Sequence, residues 1–264
     1  MSFVAKPEDV KLAFDNAAAV YDAARPSYPP ELFDELFGLL PPKPHIVEVG
    51  PGTGKATKDL LARGAAVHAV EIASGMAARL RANLPSERLR ISVGDFESMD
   101  IESGADAVFS ATAYHWISRP AQTDRPAGIL RPNGLVAIVE LIQVESPDDL
   151  GFFAAVQPVN DRFAQGHTGP PAPRRDTVDP ALRAVLEADS RFGSIAIRKW
   201  DWNQTYTARG YVNLMLSFSG TQMMDEESRR GLLHDMEAFI IKEFGGHVTR
   251  PLVVTLTTAV LARP

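Results

Sequence analysis

The spacing of hydrophobic positions changes character along the chain. Over residues 7–21 they recur with helical spacing, placing Val10, Phe14, Ala17, Ala18 and Tyr21 on one side. ARPSYPP ends that pattern, because proline fixes its own φ and restricts the residue before it. A second helix is predicted over 31–40, and PPKP breaks the chain again. From His45 short apolar runs alternate with helical stretches. HIVEVG, AVHAVEI, LRISVGD, DAVFSATA and GLVAIVELI read as strands, and KATKDLLARG and SGMAARLRANL as helices. Asn133 and Gly134 mark a turn before the last of these strands. Such alternation predicts a parallel sheet with helices on both faces. The segment 120–130 has the place of a helix but contains Pro126, which predicts a kink or a late start.

After Leu141 the alternation stops. Two helices are predicted near 148–164 and 180–189, joined by GHTGPPAPRRDTVDP, whose Gly and Pro content reads as a mobile loop. Residues 145–190 are therefore expected to form a helical cap or insertion. SIAIRKWDW and LVVTLTTAVLA supply two more strands, separated by helices near 207–217 and 225–243.

Composition narrows the function classes. The 27 Lys and Arg against 33 Asp and Glu leave a net charge of −6, which argues against broad nucleic-acid binding. The chain has no cysteine, so disulfides, thiolate metal sites and a thiol nucleophile are excluded. No metal is expected. The N-terminus lacks the apolar core of a signal peptide, and no stretch approaches the roughly 20 apolar residues of a membrane span. A soluble, cytoplasmic protein with no membrane partner is the expectation.

VEVGPGTGK is the most informative string. It joins a buried strand to a helix, with Gly50, Gly52 and Gly54 at alternate positions. Glycines there permit a tight turn and close approach of a ligand to the backbone. The string is not a P-loop, since Val49 stands where the first glycine belongs and Ala56 follows Lys55. It also departs from the dinucleotide fingerprint, whose third glycine falls where Lys55 stands. The second strand ends in Glu71, about 20 residues past the loop, where a carboxylate can accept bonds from ribose hydroxyls. Its alternative role is a solvated strand-end acid. The third strand ends in GDFE, where Asp95 can accept from an adenine amino group and Phe96 can lie against the ring. Asp95 can equally cap the turn. All three features fall at strand C-terminal ends, where open α/β sheets bind ligands.

With these residues the chain resembles the class I S-adenosylmethionine-dependent methyltransferases. VEVGPGTGK is similar to their glycine motif, Glu71 to their ribose acid and GDFE to their adenine-side motif. ATAYHWI, FDNAAAVYDAARPSYP, YVNLMLSFSG and FIIKEFGG resemble a small-molecule branch that includes the trans-aconitate methyltransferases. The resemblance covers nearly the whole chain outside 145–190. It implies a Rossmann-like α/β fold with a seven-stranded, mostly parallel sheet, helices on both faces and the last strand antiparallel. Residues 1–44 would be N-terminal helices closing over the site, 45–144 the cofactor-binding core, 145–190 the cap and 191–264 the rest of the core. The cofactor would be S-adenosylmethionine, leaving as S-adenosylhomocysteine. It would be held by Glu48, Gly50, Pro51, Gly52, Thr53, Gly54, Glu71, Ile72, Met76, Asp95, Phe96 and Ala111. Tyr21, Arg25 and Tyr28 would close over cofactor or acceptor.

Methyl transfer from a sulfonium is an in-line displacement, so the protein mainly aligns donor and acceptor and excludes water. His115 could act as a base, orient an acceptor or support the pocket, and Trp116 could wall the site. With Tyr28 they form the expected acceptor side. Arg25 could fork onto a carboxylate or pair with Asp22 at the surface. Arg174 and Arg175 could recognise an anion or form a solvated pair. Trp200 and Trp202 alternate on a strand, in core packing or as a pocket wall. The acceptor is expected to be a small carboxylate or hydroxyl compound, and the chain a monomer or homodimer. The rival readings are a non-enzymatic S-adenosylmethionine-binding module and an NAD-dependent oxidoreductase.

Overall fold

Strands apolar on both faces need cover on both sides, and here they build the centre of a seven-stranded sheet. The computed structural model describes residues 26–163 and 172–262. The described residues divide into two units, one of 27–142, 179–200 and 254–262, the other of 26, 143–163, 172–178 and 201–253.

The first unit is the sheet unit. It opens with α1 (Pro30–Gly38), whose first-turn proline suits a helix start and whose Leu32, Phe33 and Leu36 are buried. β1 (His45–Val49), α2 (Thr57–Ala62), β2 (Ala66–Glu71), α3 (Ser74–Asn83), β3 (Leu89–Val93) and β4 (Ala105–Ala111) follow. α4 (Ala121–Ile129) leads directly into β5 (Leu130–Gln143). α7 (Ala181–Glu187), β6 (Phe192–Asp201) and β9 (Leu252–Leu261) complete it. The strand order is β3-β2-β1-β4-β5-β9-β6, mostly parallel with the last strand antiparallel and helices on both sides. The order reverses between β1 and β4, the switch point at which such sheets bind ligands. One core layer joins Val47, Val49, Val108, Val136 and Ile138 to Leu182 and Leu186 of α7.

Pro126 does not end α4. An interior proline removes the N–H that would bond the carbonyl four residues back, here Gln122. The Tyr114 hydroxyl donates to that carbonyl at 2.7 Å instead. The turn at Asn133 is a bulge inside β5 rather than a break before it. Ala105 pairs with Leu130 and Ala107 with Leu135, and Asn133 has φ 59°.

The second unit contains α5 (Phe152–Ala155), α6 (Gln157–Arg162), β7 (Gln204–Thr207), α8 (Ala208–Leu216), α9 (Ser219–Gln222), α10 (Glu226–Glu243) and β8 (His247–Arg250). β7 and β8 pair as an antiparallel ribbon. Its core is aromatic: the Phe152 ring lies 5.2 Å from both Tyr211 and Phe244, near perpendicular to each. The helix predicted near 148–164 is broken. Leu150 and Gly151 have positive φ, and Pro158 allows α6 only as a fresh start. The stretch 145–190 divides between the units, because α7 buries Leu182 and Leu186 in the sheet core. The segment 191–264 divides too, with 201–253 in the aromatic unit. The predicted helix over 7–21 lies outside the described residues, as do residues 164–171 at the start of the Gly- and Pro-rich loop.

Candidate functional site at the sheet switch point

The site grows from the end of β1. Gly50, Gly52 and Gly54 have φ of 64°, 57° and 97°, the left-handed region in which a Cβ is strained. Gly50 donates its N–H to Val70 O at 2.9 Å, and a Cβ on it would collide with the Ala113 methyl group. A Cβ on Gly54 would fall 2.6 Å from Leu80 of α3. The loop therefore lies against β4's exit on one side and α3 on the other. Pro51 and Thr53 are buried within it, and Asn83 Nδ2 donates to Thr53 O at 3.0 Å.

Glu71, at the end of β2, ties this loop to the next turn. Its Oε2 accepts the Gly52 N–H and its Oε1 the Ala73 N–H, both at 2.9 Å. Only 6% of the residue is exposed. Ile72 beside it is a partly exposed apolar side chain, and Met76 is buried under the turn.

Glu48, on β1, is buried, and its carboxyl is pushed up to about 8. Burial is the main cause and the negative charge of Glu71 adds to it, while the Thr57 side chain works the other way. Glu48 Oε2 is buried with no hydrogen-bond partner among the described residues. Such an atom carries a desolvation cost unless a donor or cation arrives.

At the end of β3, Asp95 is exposed and its Oδ1 accepts the Glu97 N–H at 2.9 Å. Phe96 does not lie open there. Its ring is in the sheet core, with the Arg125 guanidinium 5.5 Å from its centroid. The open apolar side chains at these strand ends are Ile72 and Val93.

β4 ends at Ala111, paired with Val139. Thr112 then takes φ 60°, a strained conformation for a β-branched residue. Its N–H bonds Val139 O at 2.9 Å, and its hydroxyl is 3.3 Å from the hydroxyl of the buried Tyr28. This kink swings Ala113 against Gly50 and starts a 3₁₀ turn, Tyr114–Trp116. His115 and Trp116 are both exposed, with ring centroids 4.9 Å apart. Gln122 Nε2 donates to Ile117 O at 3.1 Å and Tyr114 O at 3.4 Å, so the turn is held to α4 from both directions.

The structure thus brings together the glycine loop, Glu48, Glu71, Asp95, Ala111, His115, Trp116 and Tyr28. Tyr21 and Arg25 lie outside the described residues. Arg175 is a strut of the aromatic unit, bonded to Asp201 and Asn203, each at 2.7 Å. Arg174 pairs with Asp176 at the surface. β6 stops at Asp201, so Trp202 lies just past the strand that holds Trp200. Thr112 and Gln122 escaped the sequence reading, and Glu97 entered it only as the last residue of GDFE, with no role of its own. Pro126 was the one available signal, since its missing N–H demands a substitute donor nearby. Among the described residues no group of three or more His, Asp or Glu is placed to hold a metal. None of their helices is long and apolar enough to cross a membrane.

Comparison with known proteins gives partial matches to methyltransferases. Residues 47–138 match the methyltransferase domain. That span runs from β1 through most of β5 and includes every described residue of the candidate site except Tyr28. An uncharacterized methyltransferase of Mycobacterium tuberculosis strain H37Rv is 36% identical over 131 residues, 50% of this chain and 53% of that one. A malonyl-[acyl-carrier protein] O-methyltransferase of Priestia megaterium is 27% identical over 172 residues, 59% of this chain and 63% of that one. The chain thus matches little more than half the length of these relatives. Among solved structures, phosphoethanolamine N-methyltransferase 2 of Haemonchus contortus aligns with TM-score 0.53 at 15% identity, covering 94% of this chain and 58% of that one. The [4+2]-cyclase SpnF aligns with TM-score 0.50 at 15% identity, covering 91% and 85%. The methyltransferase-like fold is established by these alignments; the chemistry must come from the site.

Proposed function

We propose that this protein is an S-adenosylmethionine-dependent methyltransferase acting on a small molecule. The observation that carries the reading is the Glu71 carboxylate bridging the glycine loop and the β2–α3 turn within a matched methyltransferase domain. The residues present fit the cofactor. Glu71, at the strand end beside the glycine loop, would accept from the ribose hydroxyls. Glu48, with its unpartnered buried oxygen, suits the α-ammonium group. The backbone of Gly50, Gly52 and Gly54 allows close approach, and Pro51, Thr53, Met76 and Ala111 would wall the pocket. Asp95 would accept from the adenine amino group, with Ile72 beside the ring and Phe96 supporting from beneath.

When bound, the cofactor supplies an electrophilic methyl group whose bonding electrons leave with sulfur. The protein's part is alignment and exclusion of water. His115, Trp116 and Tyr28 would line the acceptor side, and Tyr21 and Arg25 would close it. The acceptor would be a small carboxylate or hydroxyl compound, as in the trans-aconitate-like branch. The net charge of −6 favours this over a nucleic-acid target. A cytoplasmic monomer or homodimer completes the proposal.

Calorimetry with S-adenosylhomocysteine tests the cofactor assignment. Wild type should bind, and Glu71→Ala should bind more weakly by about 1–3 kcal/mol. Absence of wild-type binding, or preference for NAD, would overturn the assignment. Methyl-labelled S-adenosylmethionine with a panel of small carboxylic acids and phenols then tests turnover. Binding without transfer to any acceptor would favour the non-enzymatic reading.

A further inference from the structure

Two segments border the candidate cofactor site from different strands. Residues 94–99 follow β3 and carry Asp95. Residues 112–118 follow β4 and carry His115 and Trp116. A cofactor reaching from the β3 end to the β4 end would touch both, so their separation sets the fit.

A continuous set of hydrogen bonds fixes that separation. Asp95 Oδ1 accepts the Glu97 N–H at 2.9 Å. The Glu97 carboxylate then crosses to the other segment. Its Oε1 accepts the Ser118 N–H at 2.7 Å and its Oε2 the Ser118 hydroxyl at 2.5 Å. Ser118 O in turn accepts the Gln122 N–H at 3.0 Å, and Gln122 Nε2 holds Ile117 O. On the core side, Arg125 of α4 reaches back, donating through Nε to Phe96 O at 2.9 Å and through Nη2 to Met99 O. The residues after β3 are thus clasped twice to the β4–α4 connection. The outer clasp is a two-point contact by one anionic side chain, the geometry that fixes orientation as well as distance.

We propose that Glu97 is a positioning residue: through Ser118 it holds the His115–Trp116 turn at a set distance from the strand end that bears Asp95. The inference rests on the cofactor reading above. It assigns a role to a residue that contacts neither cofactor nor acceptor. Because the Glu97–Ser118 contact is solvent-exposed, it adds little to global stability. Its consequence is registration of the two halves of the cleft.

The distinguishing test compares two probes. Adenosine occupies the adenine and ribose half alone, whereas S-adenosylhomocysteine also reaches toward β4. In Glu97→Ala, S-adenosylhomocysteine affinity should fall about 10-fold, as expected for loss of a charge-assisted contact. Adenosine affinity should change less than about twofold, and the melting temperature should hold within a few degrees. Glu97→Gln keeps an acceptor for the Ser118 N–H and should recover S-adenosylhomocysteine binding to within about threefold of wild type. An unchanged ratio of the two affinities in Glu97→Ala, with wild type binding both, would overturn the positioning role alone. Failure of wild type to bind S-adenosylhomocysteine would instead overturn the cofactor reading and this inference with it.

Discussion

At the scale of single residues, the two acids of the site have opposite characters. The Glu71 carboxylate accepts two backbone N–H groups, one on each oxygen, while Glu48 is buried with an unpartnered oxygen. The raised value of about 8 for Glu48 means that folding favours its protonated form. Its contribution to stability is full below the ordinary glutamate range and is lost as pH rises through about 8. Glu48→Gln removes this dependence. Chemical denaturation should find the variant more stable than wild type at pH 9, by on the order of a few kcal/mol, and nearly equal at pH 4. Ligand binding shows the reverse sign. An α-ammonium group favours the carboxylate, so S-adenosylhomocysteine affinity should rise from pH 5 to about 8 in wild type and stay flat in Glu48→Gln. A wild-type profile as flat as the variant's would remove Glu48 from the ammonium site. Gly50 is constrained differently, by its φ of 64° and by the Ala113 methyl group. Gly50→Ala should cost about 1–2 kcal/mol from the left-handed backbone alone and more from the collision. Calorimetry should detect no S-adenosylhomocysteine binding to that variant.

At the scale of elements, α4 and the turn before it depend on one another. Pro126 leaves the Gln122 carbonyl without a helical donor, and the buried Tyr114 hydroxyl fills the gap. Burial pushes the Tyr114 hydroxyl well above its ordinary range, so it remains a donor across the working pH range. Tyr114→Phe should destabilise the protein by about 1–3 kcal/mol, the cost of an orphaned buried carbonyl. In a Pro126→Ala background the helix regains its own N–H, and the same change should cost under about 1 kcal/mol. Equal costs in the two backgrounds would break the link between proline and tyrosine. The same clasp carries the His115–Trp116 turn, so a stability device and a site device share one hydroxyl.

At the scale of the whole molecule, the chain assembles two cores from interleaved segments. The residues assigned here to the cofactor all belong to the sheet unit. Phe152 is central to the other core, in contact with Tyr211, Phe239 and Phe244. Phe152→Ala should therefore destabilise the aromatic unit by about 3–5 kcal/mol. Hydrogen exchange should accelerate at 208–216 and 226–243, while protection of 45–49 and 105–111 and S-adenosylhomocysteine affinity stay near wild type. Equal loss of protection in both sets would show one cooperative core instead of two.

What the sequence determined by itself was local. Runs such as HIVEV and AVHAVE are apolar on both faces and fit only a covered parallel sheet. Alternate glycines after the first strand require the left-handed turn that the loop adopts. Glu71 was legible because its distance from that loop is set by one strand–helix–strand unit. Tertiary structure decided everything that joins distant segments. It placed Phe96 in the core, because the Arg125 side chain reaches back to cover the ring and bond its carbonyl. It carried α4 through Pro126, because a tyrosine earlier in the chain supplies the missing donor. It divided 145–190 between two cores and joined 143–178 to 201–253, because Leu182 and Leu186 found one apolar surface and Phe152 another. Hydrophobic period tells a segment to bury a face; which partner covers that face depends on chain closure and packing across long separations, and periodicity holds no record of either.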